Sequence, residues 1–94
     1  MMLVNVLLLH PDDSVVTAIR DLAQGERLCA EALPSELCTR QPIPFGHKVA
    51  IRPIATDDHV IKYGASIGVA TAEIAAGEHV HTHNLTSVRG DASR

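Results

Sequence analysis

The stretch Ile74-Ala75-Ala76-Gly77-Glu78-His79-Val80 decides how this chain folds, because its pattern occurs four times. Leu22-Ala23-Gln24-Gly25-Glu26-Arg27-Leu28, Ile43-Pro44-Phe45-Gly46-His47-Lys48-Val49 and Ile54-Ala55-Thr56-Asp57-Asp58-His59-Val60 share its template. Each is an aliphatic residue, two spacers, Gly or Asp, two polar residues and a second aliphatic residue. A fourth residue that tolerates φ > 0 lets the chain reverse, and both flanking aliphatic residues can then point inward. Four such modules in 94 residues predict a mainly β fold of short, bent strands. Gly64 and Gly68 add two permissive points around Ile67.

Outward from these modules the reading is plainer. The apolar run Leu3 to Leu9 is interrupted by Asn5 and is too short to span a bilayer. With no basic stretch before it and no small-residue cleavage site, it reads as a first strand of a cytoplasmic protein. Asp12-Asp13-Ser14 then resembles an N-cap cluster, and Val15, Ile19 and Leu22 follow at helical spacing up to Gly25. One short N-terminal helix is therefore predicted, with Asp12 and Asp13 as caps. The domain is expected to span residues 1–86, leaving 87–94 as a small, polar, flexible tail.

The chain is 46% hydrophobic and 20% charged, with a formal charge of −3. That balance gives no electrostatic footprint for nucleic acid or an anionic membrane. With Phe45 and Tyr63 as its aromatic residues, it also lacks a base-stacking platform. Cys29 and Cys38 form neither a CxxC pair nor a disulfide framework and read as free thiols. No nucleophile triad, phosphate loop or dinucleotide fingerprint occurs.

Chemistry gathers in three places: Gly46-His47-Lys48, Lys62-Tyr63-Gly64 and His81-Thr82-His83-Asn84, the last preceded by His79-Val80. If the last is a strand, its period of two sends His79, His81 and His83 to one face. Spacing leaves His81 and His83 either the start of a metal site or an exposed or hydrogen-bonded structural pair. Lys62 and Tyr63 alternate in a strand, so Tyr63 can lie in the core with only its hydroxyl outside. Glu26 and Glu78 read as exposed turn charges, and His10 and His59 as loop histidines.

Taken in order, Ile43-Pro44-x-Gly46-His47-Lys48-Val49-Ala50, Val60-Ile61-Lys62-Tyr63-Gly64-x-x-Ile67-Gly68 and Ile74-x-x-Gly77-Glu78-x-Val80-His81-x-His83-Asn84 resemble the SAF domain of the altronate and galactarate dehydratases. Small subunits of sulfolactate sulfo-lyases belong to the same group. The opening His10-Pro11-x-Asp13-x-Val15 and Gly25-Glu26 fit as well, so the resemblance runs from about Leu3 to Leu85. Asp57 stands where the family usually places Gly.

The resemblance implies a β-clip-like fold and β-elimination from a small sugar acid to a 2-keto acid, often with a divalent metal such as Fe²⁺. It places His47, Lys48, Lys62 and His81 among catalytic groups. Lys48, Lys62, Tyr63 and Asn84 fall beside the substrate, and His81 and His83 at the metal, with His79 a spectator. It further implies a large catalytic subunit on a separate chain, with homo-oligomerisation left open. A non-catalytic sugar-acid or metal-binding module, or a sulfo-lyase small subunit, is the competing expectation.

Overall fold

The computed structural model describes residues 3–33 and 36–87 of the chain. Its strands are β1 (Val6–Leu7), β2 (Val15–Ala18), β3 (Lys48–Ala50), β4 (His59–Lys62), β5 (Ala65–Ala70), β6 (His79–Val80) and β7 (Leu85–Thr86). They make two antiparallel sheets, one ordered β1-β2-β3-β6 and the other β4-β5-β7. The fold is mainly β, and the described residues contain no helix. Most of the expected tail, from residue 88 onward, lies outside the described residues.

All four modules fold as one backbone unit. Their fourth residues sit at φ +77° (Gly25), +83° (Gly46), +73° (Asp57) and +87° (Gly77). In each, the fifth residue's N–H donates to the second residue's carbonyl, at 3.0–3.2 Å. The fourth residue's N–H then donates to a distant carbonyl, and that same distant residue donates back to the carbonyl of the fifth. The partners are Thr39, Ala18, Ala70 and Ala50 for turns 1 to 4 in chain order. Finally the first residues pair reciprocally, Leu22 with Ile43 and Ile54 with Ile74.

This wiring repeats once along the chain. Ala18, turn 1, Thr39 and turn 2 are matched by Ala50, turn 3, Ala70 and turn 4. The sequence carries the same repeat, for Ala18-Ile19-Arg20-x-Leu22-Ala23 recurs as Ala50-Ile51-Arg52-x-Ile54-Ala55. Each half has its own core. Leu22, Leu28, Ile43 and Val49 join Val6, Val16, Ala18 and Ile51, whereas Ile54, Val60, Ile74 and Val80 join Val15, Ala50 and Ala70. Full burial of each such Val or Ile contributes about 1.5–3 kcal/mol of transfer free energy.

The predicted N-terminal helix is overturned by β2. Val15 lies opposite Ala50 and Val16 opposite Val49, and successive residues of a strand face opposite ways. Val15 therefore enters one core and Val16 the other. A strand buried on both faces reads as a continuous apolar run rather than an alternation, which periodicity does not separate from a helix. Ile19, counted on the inner face of that helix, is exposed, while Gly25 closes turn 1.

Tyr63 is a second correction. With Gly64 it makes the two-residue link between β4 and β5, at φ +58° and +72°, as a type I′ hairpin requires. The ring is 67% exposed and takes no part in the core. The N-terminal run is strand for Val6–Leu7 alone, and Asn5 within it is buried. Asn5 Oδ1 accepts the Cys29 N–H at 2.7 Å, while its Nδ2 donates to the Arg27 carbonyl at 2.9 Å.

Candidate functional site

The fifth residue of a turn explains where His47 comes from. In turns 1 and 4 it is Glu, and its carboxylate accepts the N–H of the second residue: Glu26 from Ala23 at 2.9 Å and Glu78 from Ala75 at 2.8 Å. In turn 2 the second residue is Pro44, which has no N–H to cap. The fifth position is thereby released from capping, and it carries an imidazole at the entrance to β3.

The third polar cluster begins as strand and ends as turn. β6 stops at Val80, so the expected alternation through His83 does not hold. Asn84 bends the chain instead, donating its N–H to the His81 carbonyl at 3.1 Å. Its side chain accepts the His81 N–H at 3.0 Å and donates to the His79 carbonyl at 2.9 Å. Buried and fully engaged with backbone, Asn84 sets the direction of the two histidines beside it.

Pairing of β3 with β6 places Val49 opposite His79 and brings His47 alongside. His47 Nδ1 and His79 Nε2 are 2.8 Å apart, so one ring donates and the other accepts. The His81 ring stacks on His47 with centroids 3.9 Å apart and planes at 11°. One nitrogen from each of His47, His79 and His81 falls within 4.8 Å of the others. His83 is exposed at the rim, its ring tilted 37° and 5.2 Å from His79. His79, the residue set aside in the sequence, thus sits inside the cluster. Its i, i+2 spacing to His81 was the signal; its closeness to His47 depends on strand register.

The cations of the site oppose one another. Burial, followed by the neighbouring His47, His83 and His81, holds His79 below its ordinary pKa of 6.5. Burial and then His47, Lys48 and His83 do the same for His81. Both shifts favour the neutral imidazole, the form that can accept a proton or ligate a cation. Lys48 on β3 is half-buried, and its amine is lowered from 10.5 by burial first and by Lys62 second. Lys62 ends β4 with Nζ 5.3 Å from the Tyr63 ring centroid, and its charge is the one felt by Lys48. Three clustered imidazoles with the Lys48 amine acting on His81, and Lys62 acting on Lys48, suit an anionic ligand and a borderline-soft divalent cation.

His59 and His10 take no part in the histidine cluster. His59 Nδ1 is 2.7 Å from Ser66 Oγ on the next strand. His10 Nδ1 accepts the Asp12 N–H at 3.1 Å. A groove of about 240 Å³ runs between Leu8–Pro11, Ala32 and Arg52, and none of the clustered residues lines it. No helix among the described residues is long and apolar enough to cross a membrane.

Comparison with known proteins shows the family. The family model for the altronate/galactarate dehydratase SAF domain matches residues 4–88. Altronate dehydratase of Bacillus subtilis is 42% identical over 83 residues, and that of Escherichia coli 46% over 83 residues. Both matches take in 88% of this chain but 16% of the relative, so the chain spans about a sixth of their length. The (2R)-sulfolactate sulfo-lyase subunit alpha of Chromohalobacter salexigens is 37% identical, with 83% of this chain and 88% of that subunit covered. The chain belongs to the altronate/galactarate dehydratase SAF-domain family.

Proposed function

We propose that this chain is the small subunit of a two-chain sugar-acid dehydratase, supplying one wall of a site for β-elimination of water from a hydroxy acid. The observation that carries the reading is the convergence of His47, His79 and His81 beside Lys48 and Lys62. The split between relatives supports the two-chain form. The altronate dehydratases hold this domain within a much longer chain, whereas the sulfo-lyase alpha subunit is nearly all this domain and is named as a subunit.

In the reaction a base removes the proton from the carbon that bears the carboxylate. Hydroxide leaves the neighbouring carbon with a proton from an acid, and the resulting enol tautomerises to a 2-keto acid. Lys48 and Lys62 bind the substrate carboxylates, and Tyr63 at the hairpin tip offers a hydroxyl to the sugar chain. His47 and His81 accept or return the protons. Asn84 acts from behind, through the backbone of His79 and His81.

A divalent metal such as Fe²⁺ would be held by His47, His79 and His81, with His83 within reach as a rim ligand. When bound, it supplies Lewis-acid stabilisation of the charge that develops on the carboxylate side. The cognate partner is a large catalytic subunit, and the reaction belongs in the cytoplasm with the other steps of sugar-acid breakdown.

The test is reconstitution. The purified chain should be inactive alone, and adding the large subunit should yield 2-keto acid from altronate or galactarate. Activity on (2R)-sulfolactate, with release of sulfite, would move the chain to the sulfo-lyase branch. Activity of the chain alone, or silence of the pair on all three acids, overturns the reading. Metal or sugar-acid binding together with that silence would mark a non-catalytic binding module.

A further inference from the structure

Asp13, expected as a helix cap, has no helix to cap among the described residues. It is fully buried, beside the corner that leads into β2. Its Oδ1 accepts the N–H of Gly64 at 2.8 Å, across a separation of 51 residues. Its Oδ2 is buried and accepts no hydrogen bond from the described residues. A carboxylate placed this deeply with a single partner is costly, and such groups in a native fold call for an explanation.

The explanation lies in what Gly64 carries. Gly64 and Tyr63 form the two-residue tip between β4 and β5, and Lys62 is the last residue before it. Ser14, next to Asp13, grips the same hairpin lower down. It donates its N–H to the Ile61 carbonyl at 3.0 Å, and its Oγ accepts the Ile61 N–H at 2.9 Å. The pairing of β4 with β5 shifts register between Val60 and Ile61, where this grip begins. The His10 ring closes the tip from another side, so near Gly64 that a Cβ there would lie 2.9 Å from it. The tip is held from below by the Asp13–Ser14 corner, and Lys62 lies between the two gripped positions, Ile61 and Gly64.

We propose that Asp13 is a positioning residue for the candidate site, fixing the Tyr63–Gly64 tip through the Gly64 N–H and thereby aiming Lys62 at the substrate carboxylate. This rests on the role given to Lys62 above. Asp13 touches no substrate; it acts through the hairpin.

Two measurements separate this inference from that role. In ¹⁵N–¹H spectra of the chain alone, Asp13→Ala should shift the Gly64 amide upfield and strip its exchange protection, while Asp13→Asn, which keeps an acceptor oxygen, should retain both. In the reconstituted enzyme with galactarate, Asp13→Ala should raise KM about tenfold with kcat changed far less, as the loss of one charge-binding contact implies, and Asp13→Asn should restore KM. An intact Gly64 signal in Asp13→Ala, or a released tip with unchanged KM, overturns the proposal. If Asp13→Ala does not fold, Ser14→Ala loosens the same corner, and an unchanged KM there with a loosened tip also counts against it. Lack of all turnover in the wild-type pair would instead overturn the assigned reaction, leaving the Gly64 result to stand for the tip alone.

Discussion

Turn 2 and turn 4 have the same backbone, the same positive φ at the fourth residue and the same reciprocal bonds to an alanine. They differ in what the fifth residue must do. In turn 4, Glu78 is held by the N–H of Ala75. In turn 2, Pro44 removes that obligation, and His47 reaches His79 instead. A repeated scaffold thus acquires chemistry where one copy loses a structural duty. Turn 1, with Glu26 capping Ala23, shows the unspecialised state within the same half as turn 2.

The sharpest test of the repeat is in its two cores. Ile43 and Ile74 occupy equivalent places, both fully buried, and each pairs with the opening residue of the preceding turn. Ile43→Ala and Ile74→Ala should each cost about 2–5 kcal/mol by urea unfolding. Costs differing by more than the width of that range would mean that the halves are not equivalent supports. The next effect is on the site alone. His79→Ala should weaken Co²⁺ binding about 100-fold in a calorimetric titration, on the scale of losing a metal-supporting group. His83→Ala should change it far less, and the reverse order would move the site to the rim.

Converting turn 2 to the form of turn 4 probes the comparison directly. Pro44→Ala with His47→Glu should fold, with the new carboxylate capping residue 44, and should lose the metal response. Removing a cap is the smaller counterpart: Glu78→Ala should cost about 1 kcal/mol, the usual value of such a bond. Glu26 adds a pH signature. Its carboxyl lies below the ordinary 4.5, chiefly through the Ala23 N–H, then through Asn5 and Arg20 against the opposing effect of burial. A depressed folded pKa gives stability that is present above 4.5 and lost as pH falls through the folded value. Glu26→Gln should flatten the acid limb of stability against pH. His79 and His81 behave likewise one step higher, giving stability above 6.5 that fades as acid protonates them.

Turn chemistry is local, and so the four bends were legible from their fourth residues. Burial on both faces is not local, which is why Val15-Val16 passed for a helix. The Ala-Ile-Arg repeat was present in the sequence but concealed by the shorter seven-residue motif, whose four copies suggested a single period. At the site, the histidines and lysines were visible as residue types next to glycines. Their grouping depended on the register of β3 against β6, which sets His79 beside His47 and leaves His83 at the rim. Asn84 and Asp13 illustrate the same limit, since a polar residue does not announce that its partner is backbone 5 or 51 residues away.

The smallest expected effect separates structure from function at the hairpin tip. Tyr63 holds φ +58°, a region in which an L-residue other than Asn or Asp is strained by about 1–2 kcal/mol. Asn is the preferred occupant of the first place in an I′ loop, and Gly64 already fills the second. Tyr63→Asn should therefore raise stability slightly, by about 0.5 kcal/mol, although it removes the exposed ring and its contact with Lys62. If Tyr63 is there for the substrate, the same variant should bind galactarate more weakly in the reconstituted enzyme. A gain in stability with no change in KM would remove Tyr63 from the site and leave the strain at the tip without a use. A loss of stability would show instead that packing of the ring against Lys62 outweighs the backbone strain.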